Sequence, residues 1–165
     1  YANFNEPAAG YGLGTTSLPN PEYYYGGTST HGYRLNIYGL NINRSFFAGL
    51  GSGVLFSEGD LMIPFYLDLR YFWNSKTISP YIMGEGGFLF NPRDVDKKTL
   101  LMIIGGGGIQ FNISDKFILN AGPGPGIQMG IDGRRSFLSG RLGLGFKLSS
   151  PHGGSGLNQI FSFRK

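Results

Sequence analysis

The side chains able to do chemistry in this 165-residue chain are few, and their spacing narrows them further. Cysteine is absent, which removes disulfides, thiolate metal sites and a cysteine nucleophile. The two histidines, His31 in "TSTHGY" and His152 in "PHGGSG", are the candidates for a general base. His31 has Thr28, Ser29 and Thr30 beside it, and His152 has Ser155. A lipid hydrolase would need serine, histidine and an acid together, and neither histidine has an acid close by in sequence. Two histidines and scattered carboxylates show no metal-ligand spacing, so no metal and no cofactor is expected. The run Gly105, Gly106, Gly107, Gly108 in "LLMIIGGGGIQFNI" invites comparison with a phosphate loop. Such a loop sits between a strand and a helix and is followed by Lys-Ser/Thr. Here Ile109, Gln110 and Phe111 follow, and a two-residue period runs straight through.

That period identifies the elements that must position these residues. In "IPFYLDLRYFW" one face carries Ile63, Phe65, Leu67, Leu69, Tyr71 and Trp73, and the other carries Asp68 and Arg70. Alternation of this kind is a strand with one face against something apolar. The same reading holds for "FFAGLGSGVLF", "PYIMGEGGFLFN", "FILNAGPGPGIQMGID" and "SFLSGRLGLGFKL". Strands are expected at about 30–42, 46–57, 62–73, 80–91, 100–113, 117–132 and 136–148, longer than the roughly 5–6 residues usual in soluble sheets. A tilted membrane strand needs about 9–11 residues to cross the hydrocarbon.

Composition agrees with strands in lipid. Glycine is 29 of 165 residues, aromatics are 15% and charged residues only 15%, against roughly 25% charged in an average soluble domain. Mean hydropathy is only −0.08, and no run approaches the ~18 apolar residues of a spanning helix. The polar faces are mostly glycine, which would solvate a soluble protein poorly but lets a wall curve around a small lumen. The net charge of +4 is scattered rather than striped, so nucleic acid is not an expected partner. No signal peptide opens the chain; "YANFNEPAAG" reads as the trimmed start of an exported protein, with the leader removed.

The expected fold is all-β: a closed, antiparallel, up-and-down transmembrane barrel of eight strands spanning 1–148, followed by a periplasmic or partner-binding tail, 149–165. Seven strands are clear and a bacterial barrel prefers an even number. The eighth is either 10–17 or 157–165. The first is preferred, because it leaves both barrel ends on the periplasmic side. The turns at 43–45, 74–79 and 114–116 read as short and periplasmic. Those at 57–62, 91–99 and 132–135 read as longer and external.

The segments "HGYRLN", "FFAGLGSG", "IPFYLDLRYF" and "SPYIMGEGGF" resemble the small outer-membrane barrels of the Bacteroidota, in the broad OmpA-like or opacity-like superfamily. The resemblance covers roughly residues 30–148 and implies a bacterial outer-membrane location, with membrane lipid and lipopolysaccharide around the wall. It implies architecture more than activity. "PHGGSG" also loosely resembles the His-x-Ser arrangement of lipid A deacylase barrels, with different spacing.

Arg34, Asp68, Arg70, Glu85, Arg141 and Lys147 should face inward. Eight strands leave a lumen filled by side chains, so these charges should form a salt-bridged plug, with Asp68 on Arg70 and Glu85 on Arg141. Pro123 and Pro125 stand two apart in a strand and drop two ladder donors toward one neighbour. With Gly105–Gly108 they outline a thin, weakly laddered patch, a candidate docking or gating seam. The three tyrosines of "PNPEYYYGG" suit an interfacial belt. The expected role is a non-enzymatic structural or accessory subunit among other outer-membrane proteins. The alternatives are a lipid-modifying enzyme of the deacylase or acyltransferase kind, or a surface adhesin.

Overall fold

A computed structural model describes residues 1–13, 23–37, 44–57, 60–73, 77–93, 99–130 and 133–147. Eight strands run β1 Ala2–Gly12, β2 Tyr23–Ile37, β3 Arg44–Ser57, β4 Asp60–Phe72, β5 Ile78–Phe90, β6 Leu100–Asn112, β7 Phe117–Gly130 and β8 Gly133–Lys147. Each pairs antiparallel with its neighbours in sequence, and β1 closes on β8, with Ala2 opposite Lys147 and Tyr11 opposite Leu138. The result is a closed up-and-down barrel. Closure leaves no unpaired edge, which is what a sheet needs to cross hydrocarbon.

The first two strands differ from the sequence expectation. Strand one is Ala2–Gly12 rather than 10–17, and closure involves neither 10–17 as a whole nor 157–165. The second strand begins at Tyr23 and ends at Ile37, not 30–42. Its start was hidden because "YYYGGTST" lacks an apolar outward run. The expected alternation of loop lengths also fails. β3 ends at Ser57 and β4 begins at Asp60, while β7 ends at Gly130 and β8 begins at Gly133, so two of the supposedly long connections are tight hairpins. Strand residues continue to these corners, and Gly133, at φ 129°, takes a backbone angle that side chains resist. The tail 149–165, with His152 and Ser155, lies outside the described residues.

Alternation of burial follows the pleat along every strand. In β4 Tyr66, Asp68, Arg70 and Phe72 are buried, while Phe65 and Leu67 are exposed. Leu50, Phe65, Leu142, Leu144 and Leu138 all stand out from the wall. So broad an apolar exterior marks a lipid-facing surface. Tyr1 meets Tyr33 edge-on at 6.1 Å and Tyr71 meets Trp73 at 5.6 Å near the rim where β1 begins and β8 ends. Tyr25 stacks on Phe56 at 5.7 Å near the other. These are two aromatic girdles. Of the three consecutive tyrosines, Tyr23 and Tyr25 face out, but Tyr24 turns inward onto Phe137 at 5.4 Å.

The lumen is packed in layers. Ala8, Leu55, Met62 and Leu89 fill the end away from the start of β1, with Tyr24 and Leu100 against them. Phe4, Phe47, Phe72 and Tyr81 fill the other end, Phe4 meeting Phe47 edge-on at 4.9 Å. Bulk on one strand is matched by its lack on the next. A Cβ on Gly51 would lie 2.3 Å from the Tyr66 ring, so the ring occupies the space that glycine leaves.

Candidate functional site

Between those apolar layers lies a buried charge network centred on Glu6. Strand β1 places Glu6 inward because Ala2, Phe4, Glu6 and Ala8 share a face. Arg70 Nη1 donates to Glu6 Oε1 at 2.7 Å and Nη2 to Oε2 at 2.8 Å. The same guanidinium donates from Nε and Nη2 to Asp68 Oδ2 at 2.9 and 2.7 Å. Arg141 donates to both carboxylate oxygens of Glu85, and its Nη1 lies 3.6 Å from Glu6 Oε2. Asn120 Nδ2 adds a bond to Glu6 Oε1 at 2.8 Å. Arg70 also stands over the Phe4 ring, 4.4 Å from its centroid. Three carboxylates and two guanidiniums from β1, β4, β5 and β8 are thereby interlocked. A charge so deeply buried is costly alone, and bidentate pairing is what offsets that cost.

Sequence reading placed Asp68, Arg70, Glu85 and Arg141 on inward faces but missed Glu6, the residue that joins the two pairs. The signal was present: "ANFNEPAAG" alternates Ala2, Phe4, Glu6, Ala8. Arg34 and Lys147 occupy a separate position nearer the rim. Arg34 Nε donates to Ser45 Oγ at 2.8 Å and its guanidinium lies 4.1 Å from the centroid of Phe72. Lys147 Nζ donates to Asn112 Oδ1 at 2.6 Å.

The glycine and proline segments meet across β6 and β7. Pairing runs Leu101–Met129 to Ile104–Gly126, then resumes only at Ile109–Ala121. The interruption covers Gly105, Gly106, Gly107 and Gly108 opposite Gly122–Pro125. Prolines at 123 and 125 have no N–H to offer, so the ladder lapses there. The strands still touch: a Cβ on Gly106 would fall 2.6 Å from the Pro123 carbonyl oxygen. Above Gly84, Gly86 and Gly105 the outer wall is bare, since a Cβ there would meet nothing within 4 Å.

One outward cluster escaped the sequence reading. Asn3 and Asn5 on β1 lie opposite His31 and Ser29 on β2. Asn5 Nδ2 donates to Asn3 Oδ1 at 2.6 Å, and Ser29 Oγ donates to Asn5 Oδ1 at 2.8 Å. Asn3 Nδ2 lies 3.2 Å from Ser29 Oγ and 3.1 Å from either ring nitrogen of His31. Tyr1 contacts His31 Nδ1 through its hydroxyl. Since the Ser29 hydrogen goes to Asn5, the consistent arrangement has His31 Nε2–H donating to Ser29 Oγ, 3.2 Å away. Nδ1 then accepts from Tyr1. His31 stands toward the rim where β1 begins and β8 ends, because β2 starts at Tyr23 rather than at 30.

No protein-family model and no curated protein matches the sequence. Solved structures do match in fold. The outer-membrane enzyme PagL is 14% identical with a TM-score of 0.52, over 87% of this chain and 99% of that one. The N-terminal β-barrel domain of OprF from Pseudomonas aeruginosa is 16% identical with a TM-score of 0.49, over 88% and 96%. The attachment invasion locus protein Ail of Yersinia pestis is 11% identical with a TM-score of 0.31, over 88% and 96%. With closed topology, apolar exterior and girdles already in place, the chain has the fold of the eight-stranded bacterial outer-membrane barrels.

Proposed function

We propose that this chain is a non-enzymatic barrel of the bacterial outer membrane that serves as a structural or accessory subunit of a larger outer-membrane protein assembly. The observation that carries the reading is the lumen, filled by Glu6, Arg70, Asp68, Arg141 and Glu85 between two apolar layers. A barrel so filled has no continuous path for a solute, so its work falls to its outer wall and rims. The bare wall over Gly84, Gly86 and Gly105, beside the lapsed β6–β7 ladder, offers a partner a close approach to backbone. The segments "IPFYLDLRYF" and "SPYIMGEGGF" support a Bacteroidota-type, OmpA-like member. Residues 149–165 are proposed as a second contact for the partner.

Purification in mild detergent followed by mass spectrometry tests this. The chain should carry other outer-membrane proteins with it, and Gly105→Trp, which adds bulk where the wall is open, should release them. A barrel that purifies alone from its native membrane would sink the proposal. The enzyme alternative would have to recruit Ser29 with His31, where the serine donates to Asn5 rather than to the imidazole, or Ser155 with His152. Lipid A of unchanged mass in membranes with the wild type, His31→Ala or His152→Ala would set that alternative aside.

A further inference from the structure

A charge drawn into a protein interior is matched by an opposite one, and the plug obeys this rule. Arg34 does not. It lies at the mouth of the lumen, on the rim where β1 begins and β8 ends, above the layer that contains Phe47, Phe72 and Tyr81. Its Nε donates to Ser45 Oγ and its Nη1 reaches Gln110 Oε1 at 3.4 Å, both neutral acceptors. Its Nη2 is buried and meets no acceptor among the described residues. No carboxylate among them supports this guanidinium against the cost of its burial. A buried donor without a partner marks a place where something else supplies the acceptor.

A second cation deepens the imbalance. Lys147 Nζ donates to Asn112 Oδ1 at 2.6 Å, and Gln110 Nε2 donates to the same oxygen at 2.9 Å. Arg34, Gln110, Asn112 and Lys147 thus form one chain of contacts across the mouth, from β2 through β6 to β8. Its two amide oxygens are already accepting, while Nη2 and Nζ keep hydrogens to give. The two cations repel each other. The topology also keeps carboxylates away. Of the ten acids, Glu6, Asp68 and Glu85 are held in the plug. Glu22, Glu58, Asp94, Asp96 and Asp132 belong to connections of the opposite rim, and Asp60 opens β4 there. Asp115 alone belongs to a connection at this rim; it is exposed and acts on Lys147. Positive charge that is scattered along the sequence is left uncompensated at one mouth.

We propose that this mouth of the lumen is a binding site for one phosphate dianion, inorganic phosphate or a phosphate monoester, taken from the adjoining water. Two cations without a carboxylate call for about two negative charges, which one phosphate group carries near neutral pH. The guanidinium would give Nη2–H and the ammonium its remaining hydrogens, both as charge-assisted bonds. Phe47 and Phe72, fully buried beneath, form a floor that stops the anion at the mouth, above the plug. A dissolved phosphate is favoured over a lipid headgroup by the face on which the cations stand. Arg34 and Lys147 reach Gln110 and Asn112 inside the barrel, whereas lipid lies outside the wall. The inference stands apart from the subunit reading, since it concerns the lumen mouth and not the wall over Gly84 and Gly105.

The test uses the full chain folded in octyl glucoside, a detergent without phosphate, and titrated with sodium phosphate in a calorimeter at constant ionic strength. The wild type should show one saturable site per barrel in the millimolar range or tighter. Arg34→Met strands no carboxylate and should fold, as judged by heat-modifiable migration. Losing its charge-assisted bonds weakens phosphate binding by about tenfold or more. Lys147→Met should weaken it as well. Arg44→Met removes an exposed cation from the same rim and should bind as wild type does. No saturable site in the wild type, or equal affinity in Arg34→Met, overturns the proposal. Equal weakening in Arg44→Met also overturns it, by reducing the effect to the general charge of the rim and an adventitious ion only. A site filled by dihexanoyl phosphatidic acid but not by inorganic phosphate would assign the cations to a lipid headgroup and overturn it too.

Discussion

Arg70→Met is the substitution that tests the plug most directly. Arg70 is 1% exposed and is the shared donor of Glu6 and Asp68, with contacts from 2.7 to 3.1 Å. Methionine occupies similar length without charge, so the change removes the cation and strands two buried carboxylates. Glu6 retains Asn120 and a distant Arg141, at 2.8 and 3.6 Å, neither of which compensates Asp68. Breaking a buried pair by removing one partner costs about 3–5 kcal/mol. That lowers the folded-to-unfolded ratio by roughly a hundred- to several-thousand-fold. At a slope of about 2 kcal/mol per molar, the urea midpoint in phospholipid vesicles should fall by roughly 1.5–2.5 M. Trp73, the one tryptophan, and heat-modifiable migration report the transition independently. The deciding variant is Glu6→Gln with Asp68→Asn on the Arg70→Met background. If stranded charge is the cause, neutralising both carboxylates should recover at least half the loss. A midpoint for Arg70→Met within about 0.3 M of wild type, or no recovery in the triple variant, would refute the electrostatic account, since 0.3 M is only about 0.6 kcal/mol.

Other consequences follow from the same packing. Arg34→Met should cost under about 1 kcal/mol, far less than Arg70→Met, because Arg34 leans on Ser45 and the Phe72 ring and its loss strands no carboxylate; urea midpoints check the ranking. Gly51→Leu, whose first added carbon would sit 2.3 Å from the Tyr66 ring, should cost about 1–3 kcal/mol or block folding. Gly84→Leu, with open space, should fold like wild type by the same gel shift. Hydrogen exchange should be faster at the amides of Gly105–Gly108 than at 101–104, and replacing Pro123 and Pro125 by valine should slow it. In planar bilayers the wild-type barrel should show no steady conductance, and a stable channel would contradict a filled lumen.

The parts of this protein visible in its sequence are those where lipid imposes a simple rule. From β3 to β8 the outward positions are mostly apolar or glycine, Ser52 and the strand-end residues Arg44, Arg134 and Ser136 apart, so a period of two assigns faces directly. Asp68 and Arg70, two apart on the face opposite Leu67 and Leu69, had to point inward together. Their mutual contact follows from spacing alone. Contacts between remote strands are another matter. That Glu6 meets Arg70 depends on barrel closure, which brings β1 and β4 across the lumen from each other. No local pattern encodes that approach. The proline and glycine segments were matched correctly because they fall on consecutive strands. Even so, the extent of the interruption, from Gly105 to Gly108, depends on register.

The failure at β1 has a physical cause that bears on what the wall does. A strand is recognised in lipid by an apolar outward face, and β1 presents Asn3 and Asn5 there, with Pro7 next in line. Its partner β2 presents Ser29 and His31. These two strands broke the pattern together, over the same stretch, and their deviant residues hydrogen-bond one another across the seam. Local preference and global fold agree wherever structure alone is at stake, and they part where another requirement intervenes. Had the polar residues been tolerated noise, they would be scattered over the circumference. They are instead opposed in register on two neighbouring strands and continuous with a hollow beside Pro7 and Gly27. Misreading strand one and overlooking Glu6 were therefore one error. The outward polarity that disguised β1 as a loop also hid the inward carboxylate on which the plug depends.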